Sequence, residues 1–360
     1  MGKPLSVGIV GCGAISGHYL ATLDRLSGVR LAAVADLDRS RAETVASSRP
    51  GVRVLAVSEL VDDTDVEVVL NLTVPAAHAE VALKAIAAGK SVYGEKPLAA
   101  TVADARKVLY EADAAGVRVG CAPDTVLGTG TQTARQAVDS GAIGVPVAAT
   151  ATMVTPGHER WHPNPDFYYL PGGGPLLDMG PYYLSALVTL LGPVVSVVGA
   201  SSRPKSERVI GSGSRAGETI PVSTDTHVTG VLTHRSGALS TLLMSFDVAA
   251  TRSSPIEVHG TEGSLVVPDP NTFDGDVLVR EIGEPDWRRL EVSAGYRDAA
   301  RGYGLAEMAT ETEPRASGRL AFHVLDIMES LLSSANSGRA VSVESTCQRP
   351  SPVPLTSIAE

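Results

Sequence analysis

Residues Leu5 to Ser16 read LSVGIVGCGAIS and decide the fold of the first third of the chain. The apolar run LSVGIV has the length of a buried strand and ends at Gly11-Cys12-Gly13. Gly11 permits a tight turn, and Gly13 lets the backbone approach a pyrophosphate. A helix that opens at Ala14 directs its first N–H groups and its positive dipole end at that anion. Ser16 replaces the third glycine of the G-x-G-x-x-G pattern and is small enough for close helix–strand packing.

Outward from this turn, apolar runs alternate with segments of helical spacing as far as residue 122. The runs are VRLAAVAD, VEVVLNL, KSVYGE and VRVGCA, and most are rich in valine. Continuous apolar strands separated by helices are typical of a parallel sheet that is covered on both faces. We therefore predict an α/β fold that begins with a doubly wound, NAD(P)-binding Rossmann domain over residues 1–124.

From about Val145 the pattern changes to strands with few helices between them. Several of these strands alternate apolar and polar residues, which indicates an antiparallel sheet with one packed face. We predict a C-terminal α+β domain over residues 125–360, built on a large, mostly antiparallel open sheet. The polar stretch 201–218 is interpreted as a long hairpin connection, and a terminal helix near residues 318–334 is a candidate to pack back on the Rossmann domain.

Composition narrows the function classes. Apolar residues make up 44% of the 360 residues, which predicts a folded chain and not a disordered one. The formal net charge is -10 without a basic block, so neither nucleic acid nor a membrane surface is an expected partner. Cys12, Cys121 and Cys347 form no CxxC pair, which argues against a disulfide framework. The N-terminal run resembles neither a signal peptide nor a spanning helix, so we expect a cytoplasmic location.

An acidic residue at the end of the second strand bears on the choice of cofactor. Asp36 follows Gly11 at close to the spacing expected for a carboxylate that binds the ribose of a dinucleotide. A carboxylate there favours the 2′-hydroxyl of NAD and repels a 2′-phosphate. Arg39 and Arg41 lie nearby and leave NADP open as the less favoured cofactor.

Three further segments identify a family. The strand KSVYG runs into Glu95-Lys96-Pro97, and a lysine at the carboxyl end of a parallel strand stands where open α/β sheets bind ligands. The segments LTVPAAHAEVALKAIAAGK and GGGPLLDMGPYYLSALVTLLGP flank it. These segments occur in a fixed order together with the GCGAIS turn and the late segment GRAVSVES. In this order and spacing the motifs resemble those of the glucose–fructose oxidoreductase/inositol dehydrogenase (Gfo/Idh/MocA) family, and the resemblance covers nearly the whole chain.

This resemblance implies a Rossmann domain bearing NAD(P) and substrates that are sugars or cyclitols. It also implies that the second domain binds substrate and mediates oligomerisation through its sheet, often as homodimers or homotetramers. It makes Lys96 a catalytic residue near both the nicotinamide and the substrate, and it places His78 near the cofactor. The expected cofactor-binding residues are Gly11, Gly13, Ala14, Ile15, Asp36, Leu37, Arg41, Leu72, Thr73, Val74, His78, Glu95 and Lys96.

The resemblance also gives a catalytic role to Asp178, which matches the family's aspartate. The family usually has histidine four residues later, where this chain has Tyr182. Residues i and i+4 share a helix face, although Pro181 indicates a kink or a nearby helix start. A tyrosine hydroxyl has an ordinary pKa of about 10, so it needs a cation such as Lys96 to work at neutral pH. We expect Lys96 or Tyr182 to exchange the proton and Asp178 to orient substrate, unless Tyr182 only lines the cleft.

The sequence His158 to His162, HERWH, matches the zinc motif HExxH, which binds metal only on a helix. Prolines on both sides oppose a helix, so we predict no metal site. We interpret the segment as a loop that lines a sugar pocket, because imidazoles bind hydroxyls and an indole stacks on a sugar ring. A satellite hydrophobic cluster is the alternative for Phe167 and Tyr168. The expected substrate-binding residues are Lys96, His158, Trp161, His162, Asp178 and Tyr182.

The leading hypothesis is an NAD(H)-dependent oxidoreductase that transfers a hydride between nicotinamide and a hydroxyl or keto carbon of a sugar, glycoside or cyclitol. A dinucleotide-binding regulator without catalysis is a second possibility, disfavoured because Lys96 and Asp178 are both present. A zinc hydrolase built on the HExxH match is a remote third.

Overall fold

The computed structural model describes residues 3–310 and 313–357. The chain divides into two units, and neither is one continuous stretch of sequence. The first unit comprises residues 1–129, 294–322 and 353–360, and the second comprises 130–293 and 323–352. This differs from the predicted single boundary near residue 124, because two segments from the last fifth of the chain belong to the first unit.

The first unit contains a six-stranded sheet. Its strands are β1 (Leu5–Val10), β2 (Val29–Ala35), β3 (Arg53–Val54), β4 (Val68–Asn71), β5 (Ser91–Gly94) and β6 (Val119–Cys121). Their order is β3-β2-β1-β4-β5-β6, and all neighbouring pairs are parallel. The chain therefore builds outward first on one side of β1 and then on the other, so the carboxyl ends of β1 and β4 flank the point where such sheets bind ligands. The predicted doubly wound sheet is confirmed.

Helices alternate with these strands. They are α1 (Ser16–Leu23), α2 (Arg39–Ser47), α3 (Val57–Asp62), α4 (His78–Ala87) and α5 (Val102–Ala115). Local signals set the ends of α5: Thr101 Oγ1 accepts the N–H of Asp104, and Gly116 ends the helix with a left-handed φ of 67°. The core between sheet and helices consists of Val, Ala, Ile and Leu side chains, among them Val69 and Ala85. A chain with few aromatic residues can fill this thin layer closely.

The second unit is built on a nine-stranded sheet. Its strands are β7 (Pro146–Val154), β8 (Val194–Ser202), β11 (His227–His234), β12 (Leu239–Ser245), β13 (Ile256–Gly260), β14 (Gly263–Val267), β15 (Leu278–Glu281), β16 (Arg288–Arg289) and β17 (Val341–Ser342). The order is β16-β15-β14-β13-β7-β12-β11-β8-β17. Neighbours are antiparallel except for β7 with β12, which confirms the predicted large, mostly antiparallel sheet.

Two further features of the second unit position the site. The predicted connection near residues 201–218 contains a small ribbon of its own, in which β9 (Glu207–Val209) pairs antiparallel with β10 (Thr219–Pro221). The unit also contains α6 (Thr129–Asp139) and α7 (Pro175–Leu191). α7 is buried along most of its length and packs on β7, β11 and β12. It begins at Pro175, so Pro181 lies inside the helix.

The last segments of the chain complete both units. α8 (Tyr303–Thr310) packs beside β6, and single backbone bridges join Gly120 to Ser317 and Gly128 to Tyr296. These contacts explain why residues 294–322 belong with the Rossmann sheet. α9 (Gly318–Ser337) begins in the first unit and continues in the second. Within the described residues, no helix has the length and apolar character needed to cross a membrane.

Candidate active site

The glycine turn lies where three strand ends meet in the first unit. The N–H of Gly11 donates to Ala35 O at 2.8 Å, and the N–H of Leu72 donates to Val10 O at 2.8 Å. Gly11 has φ of 100°, and a Cβ added to it would lie 2.6 Å from Leu72 O. Any side chain there would push β4 away, so this position requires glycine.

The other side of the turn is open. A Cβ added to Gly13 would meet no atom within 4 Å. Ser16 is buried, and its hydroxyl donates to Gly13 O at 2.7 Å, which fixes the turn of Ala14 and Ile15 before α1. The first N–H groups of a helix have no carbonyl partner within it. The open backbone at Gly13 and the helix start therefore fit a dinucleotide pyrophosphate.

Asp36 anchors the glycine turn to the end of β2. Its Oδ2 accepts the N–H of Cys12 at 2.7 Å, and its Oδ1 accepts the N–H of Asp38 at 2.8 Å. Asp38 in turn caps α2 and lies 3.4 Å from Arg41 Nε. Leu37 is almost fully exposed between the two aspartates. The guanidinium that could favour a 2′-phosphate is therefore engaged by Asp38 in this structure.

His78 connects the loop after β4 to the Glu95-Lys96-Pro97 turn. Its Nδ1 lies 2.6 Å from Pro97 O, and its Nε2 lies 3.0 Å from Thr73 O. Asn71 closes the loop from inside, because its Nδ2 donates to His78 O at 3.0 Å while its Oδ1 accepts the Thr73 hydroxyl at 2.7 Å. The structure thus gives His78 a bracing role, and its contact with the cofactor stays a prediction. Val74 at the tip of the loop is exposed.

Glu95 fixes the backbone of Lys96 through its side chain. The buried Glu95 carboxylate accepts the Tyr19 hydroxyl at 2.8 Å through Oε1 and the Lys96 N–H at 3.0 Å through Oε2. Burial and the adjacent carboxylate raise the pKa of Tyr19, so this phenol remains the donor. Since Tyr19 lies on α1, one carboxylate joins the helix of the glycine turn to the backbone of the proposed catalytic lysine. Glu95 therefore acts as a positioning group in this arrangement.

Asp124 is a buried acid that the sequence analysis did not single out. Its Oδ2 accepts the N–H groups of Gly302 and Gly304 at 2.8 and 3.1 Å. Its Oδ1 is buried without a hydrogen-bond partner among the described residues. Burial raises the pKa of this carboxyl to about 6, against the effect of the two N–H donors. The partners come from a segment far along the chain, so no local motif could reveal this group.

Asp124 gives the first unit a distinct pH dependence. The pKa of this carboxyl is 3.8 before folding and about 6 after it. Burying the carboxyl therefore has no effect on the free energy of unfolding below about pH 4, and lowers it by about 3 kcal/mol above about pH 6. Stability therefore falls as pH rises from about 4 to 6. We expect Asp124→Asn, which keeps an oxygen for both N–H donors, to match the wild type at pH 4 and to exceed it at pH 7.

Hydrogen exchange of peptides from β5 and β6, corrected for the intrinsic rate at each pH, measures this difference. Asp113→Asn is the control, because Asp113 is an exposed partner of Arg319 in the same unit. A variant-minus-wild-type difference that does not change between pH 4 and pH 7 would contradict the assigned pKa.

In the second unit the structure brings His158 and Asp178 together. His158 Nδ1 lies 3.6 Å from Asp178 Oδ2, and both side chains are largely buried. Asp178 stands in the first turn of α7, which begins directly after Gly174. Aromatic rings surround His158, with centroids at 4.3 Å for Phe246, 4.7 Å for Tyr168 and 5.3 Å for Trp161. The His158–Asp178 pair can bind hydroxyl groups, and the aromatic rings around it can pack on apolar faces of the same ligand.

The remaining predicted substrate residues differ in how far they are buried and in the unit to which they belong. Trp161 is 59% exposed and His162 is half-buried, with ring centroids 5.4 Å apart. Tyr182 lies on α7 one turn after Asp178 and is only 6% exposed, while its neighbour Tyr183 lies 3.5 Å from Asp269 Oδ1. Lys96 belongs to the first unit, whereas the other five proposed substrate residues belong to the second.

The HExxH match does not form the helix that a zinc site of this type requires. Residues His158–Arg160 make one 3-10 turn, and the chain then continues irregularly. The Glu159 carboxylate is buried against Arg208 and Tyr169. Among the described residues, no group of three His, Cys, Asp or Glu side chains is placed to hold a metal ion.

Two family models match this chain, one in its N-terminal part and one in its C-terminal part. Residues 5–122 match the model of the GFO/IDH/MocA oxidoreductase family, NAD-binding Rossmann fold. Residues 131–266 match the GFO/IDH/MocA C-terminal domain. The chain belongs to the GFO/IDH/MocA oxidoreductase family. Its first unit is the NAD-binding Rossmann domain of an oxidoreductase, and the resemblance recognised from the sequence motifs is confirmed.

The relatives of this chain differ in how much of it they match. The 1,5-anhydro-D-fructose reductase of Ensifer adhaerens is 27% identical over 346 residues, which cover 94% of this chain and 98% of the relative. An inositol 2-dehydrogenase of Ralstonia nicotianae is 38% identical over 149 residues, only 40% of this chain and 44% of the relative. The crystal structure of an NAD binding oxidoreductase from Klebsiella pneumoniae is similar with a TM-score of 0.82 at 25% identity, covering 95% of this chain and 99% of that one.

Proposed function

We propose that this family member is an NAD(H)-dependent dehydrogenase or reductase that acts on a hydroxyl or keto carbon of a sugar, glycoside or cyclitol. The observation that carries the substrate class is the His158–Asp178 pair, enclosed by aromatic rings beside α7. Carboxylate and imidazole bind hydroxyl groups, and the rings suit the C–H faces of a sugar. The named relatives, an anhydrofructose reductase and an inositol dehydrogenase, support the same class.

The proposed reaction interconverts an alcohol and a ketone by transfer of one hydride and one proton. The dinucleotide, when bound, supplies the acceptor or donor of the hydride that leaves or joins the substrate carbon. The protein removes the hydroxyl proton as the C–H bond breaks, so that a C=O bond forms, and it returns that proton in reduction. We assign the proton transfer to Lys96 or Tyr182. Asp178 would orient the hydroxyl.

The residues proposed to hold the dinucleotide form three groups in the first unit. The pyrophosphate would lie at the glycine turn and the first N–H groups of α1, and the ribose of the adenosine half at Asp36. The remaining proposed contacts are Leu37, Arg41, Leu72, Thr73, Val74, His78, Glu95 and Lys96. The exposure of Leu37 and Val74 supports this assignment, because it leaves apolar surface next to the ends of β2 and β4.

We predict a preference for NAD over NADP. The Asp36 carboxylate would repel a 2′-phosphate, and Arg41 is engaged by Asp38. We expect NADH to bind about tenfold or more tightly than NADPH, a difference of about 1.4 kcal/mol or more. Asp36→Asn keeps an acceptor oxygen but removes the charge, so it should narrow this preference. Fluorescence titration of both dinucleotides measures it.

Asp113→Asn is the matched control for this charge effect, because Asp113 is an exposed carboxylate on α5 that pairs with Arg319 and not with Arg39 or Arg41. It should leave the preference unchanged. NADPH binding as tight as NADH binding in the wild type would contradict the role given to Asp36.

A screen of sugars, glycosides and cyclitols for NAD reduction, and of their keto forms for NADH oxidation, tests the reaction itself. Dinucleotide binding without turnover of any compound would favour the non-catalytic regulator. Zinc-dependent hydrolysis would favour the HExxH alternative. We further propose a homodimer or homotetramer in solution, which light scattering would test.

A further inference from the structure

The ribbon formed by β9 and β10 is attached at several points to the segment that carries the proposed sugar contacts. We call residues 207–221 the hairpin and residues 158–169 the aromatic segment. The aromatic segment has two short 3-10 turns and no longer element of its own. Such a segment is held in one conformation only by bonds to its surroundings.

The first attachment is a buried ion cluster. Arg208 of β9 lies 3.2 Å from Glu159 Oε1 and also pairs with Asp247, and its side chain is only 1% exposed. The guanidinium lies over the Tyr169 ring at 5.2 Å, and the Tyr169 hydroxyl donates to Glu159. Arg208 also donates to Phe246 O at 3.2 Å, next to the ring that packs on His158. One side chain of the hairpin therefore fixes both ends of the aromatic segment.

Two further attachments come from the tip of the hairpin. The Ser212 hydroxyl donates to Trp161 O at 2.7 Å. Arg215 donates through two nitrogens to the carboxylate of Asp166, at 2.6 and 3.1 Å, and its Nε contacts Glu218 at 2.8 Å. A paired Arg–carboxylate contact fixes direction as well as distance. The tip thus holds the aromatic segment directly after its first 3-10 turn and at the start of its second.

The attached stretch is the one that presents the rings. His162 contacts Trp161, Phe167 and Tyr168, with centroids 5.4 to 5.5 Å apart. Trp161 and Phe167 are more than half exposed, so packing alone does not fix these two rings. Their place depends on the segment that carries them. Ser212 bonds its backbone at Trp161 O, and Arg215 bonds the side chain of Asp166, the residue before Phe167.

We propose that the hairpin is a positioning element that fixes the aromatic segment and thereby sets which sugar the enzyme binds. Arg208 and Arg215 act through His158, Trp161 and His162 and do not touch substrate themselves. This inference rests on the proposed function in one respect, namely that the aromatic segment binds the sugar. The holding of the segment by the hairpin is independent of that assignment.

The experiment uses the full-length protein and the Arg215–Asp166 pair, which is partly exposed, so that the fold tolerates the change. Arg215→Gln should raise the KM for the best sugar about tenfold through lost ordering of the segment, with the NADH dissociation constant unchanged. Asp166→Arg should act in the same way. The double variant Asp166→Arg with Arg215→Glu restores the opposite charges and should recover most of the wild-type KM. Arg289→Gln, which breaks an exposed pair with Asp276 in the same unit, is the matched control.

Hydrogen exchange of peptides covering residues 158–169 gives a readout that needs no substrate. Faster exchange in Arg215→Gln, reversed in the double variant, would show that the hairpin holds the segment. Unchanged exchange and unchanged KM would overturn the inference while the proposed function stands. If the wild type turns over no sugar, the proposed function fails and the selectivity claim fails with it, and the exchange data alone then decide whether the hairpin holds the segment.

Discussion

Lys96→Ala is expected to lower kcat by about 10²- to 10⁴-fold, the usual contribution of a positioned acid–base group. Its ammonium group is assigned to exchange the hydroxyl proton or to assist Tyr182 in doing so. NADH affinity should fall far less than kcat, because Lys96 is only one of the proposed dinucleotide contacts and the glycine turn and Asp36 belong to other segments. Steady-state kinetics with the best sugar, together with a fluorescence titration of NADH, separates the two effects.

Two variants control for the loss of a positive charge. Lys84→Ala removes an exposed lysine that pairs with Glu80 on α4, and it should leave kcat unchanged. Lys96→Arg keeps the charge but cannot release a proton near neutral pH. Its kcat should be as low as that of Lys96→Ala if Lys96 itself exchanges the proton, and should recover if the charge only assists Tyr182. Full activity in Lys96→Ala would refute the mechanism and leave the fold assignment untouched.

Arg208→Met is expected to lower the free energy of unfolding of the second unit by about 3–5 kcal/mol. It would leave the carboxylates of Glu159 and Asp247 buried without their cation, although Tyr169 and Thr226 still donate to them. Trp161 and Trp287 are the only tryptophans of the chain, and both lie in the second unit. Tryptophan fluorescence during urea unfolding therefore reports on the unit that carries the change.

Two control variants separate the effect of losing any ion pair from the effect of leaving buried carboxylates without a cation. Arg289→Gln breaks an exposed ion pair and should cost at most about 1 kcal/mol. Replacing Arg208, Glu159 and Asp247 together by apolar residues of similar size should recover much of the loss, because no buried charge then remains without a partner. A loss below about 1 kcal/mol for Arg208→Met would mean that water or rearranged side chains already stabilise the two carboxylates.

The architecture followed from sequence patterns where local signals were strong. The apolar runs predicted five of the six strands of the first sheet, all except the two-residue β3, and alternation in several later segments predicted the mostly antiparallel second sheet. The short helix α3 and the polar helix α6 were missed, because VSELVD is brief and TGTQTARQAVD shows little apolar periodicity. The division into units was predicted only in part, since the return of residues 294–322 depends on backbone bridges between distant segments.

The site was predictable to the extent that its residues belong to motifs. Gly11 and Asp36 stand at fixed distances from strands, so spacing singled them out, whereas Lys96 was singled out by the family resemblance. Asp124, Arg208 and Arg215 carry no such signal, because their partners lie far away in sequence. The HExxH match shows the reverse case, in which a local pattern suggested chemistry that the surrounding prolines and the Glu159–Arg208 pair do not support.

The discontinuous first unit has an evolutionary consequence. A gene fragment encoding residues 1–129 would specify all six Rossmann strands but not the amides of Gly302 and Gly304 that bind Asp124. A dinucleotide-binding half transferred to another protein by one recombination event at residue 129 would therefore arrive with the Asp124 carboxylate deprived of both donors, unless the recipient supplied an equivalent segment.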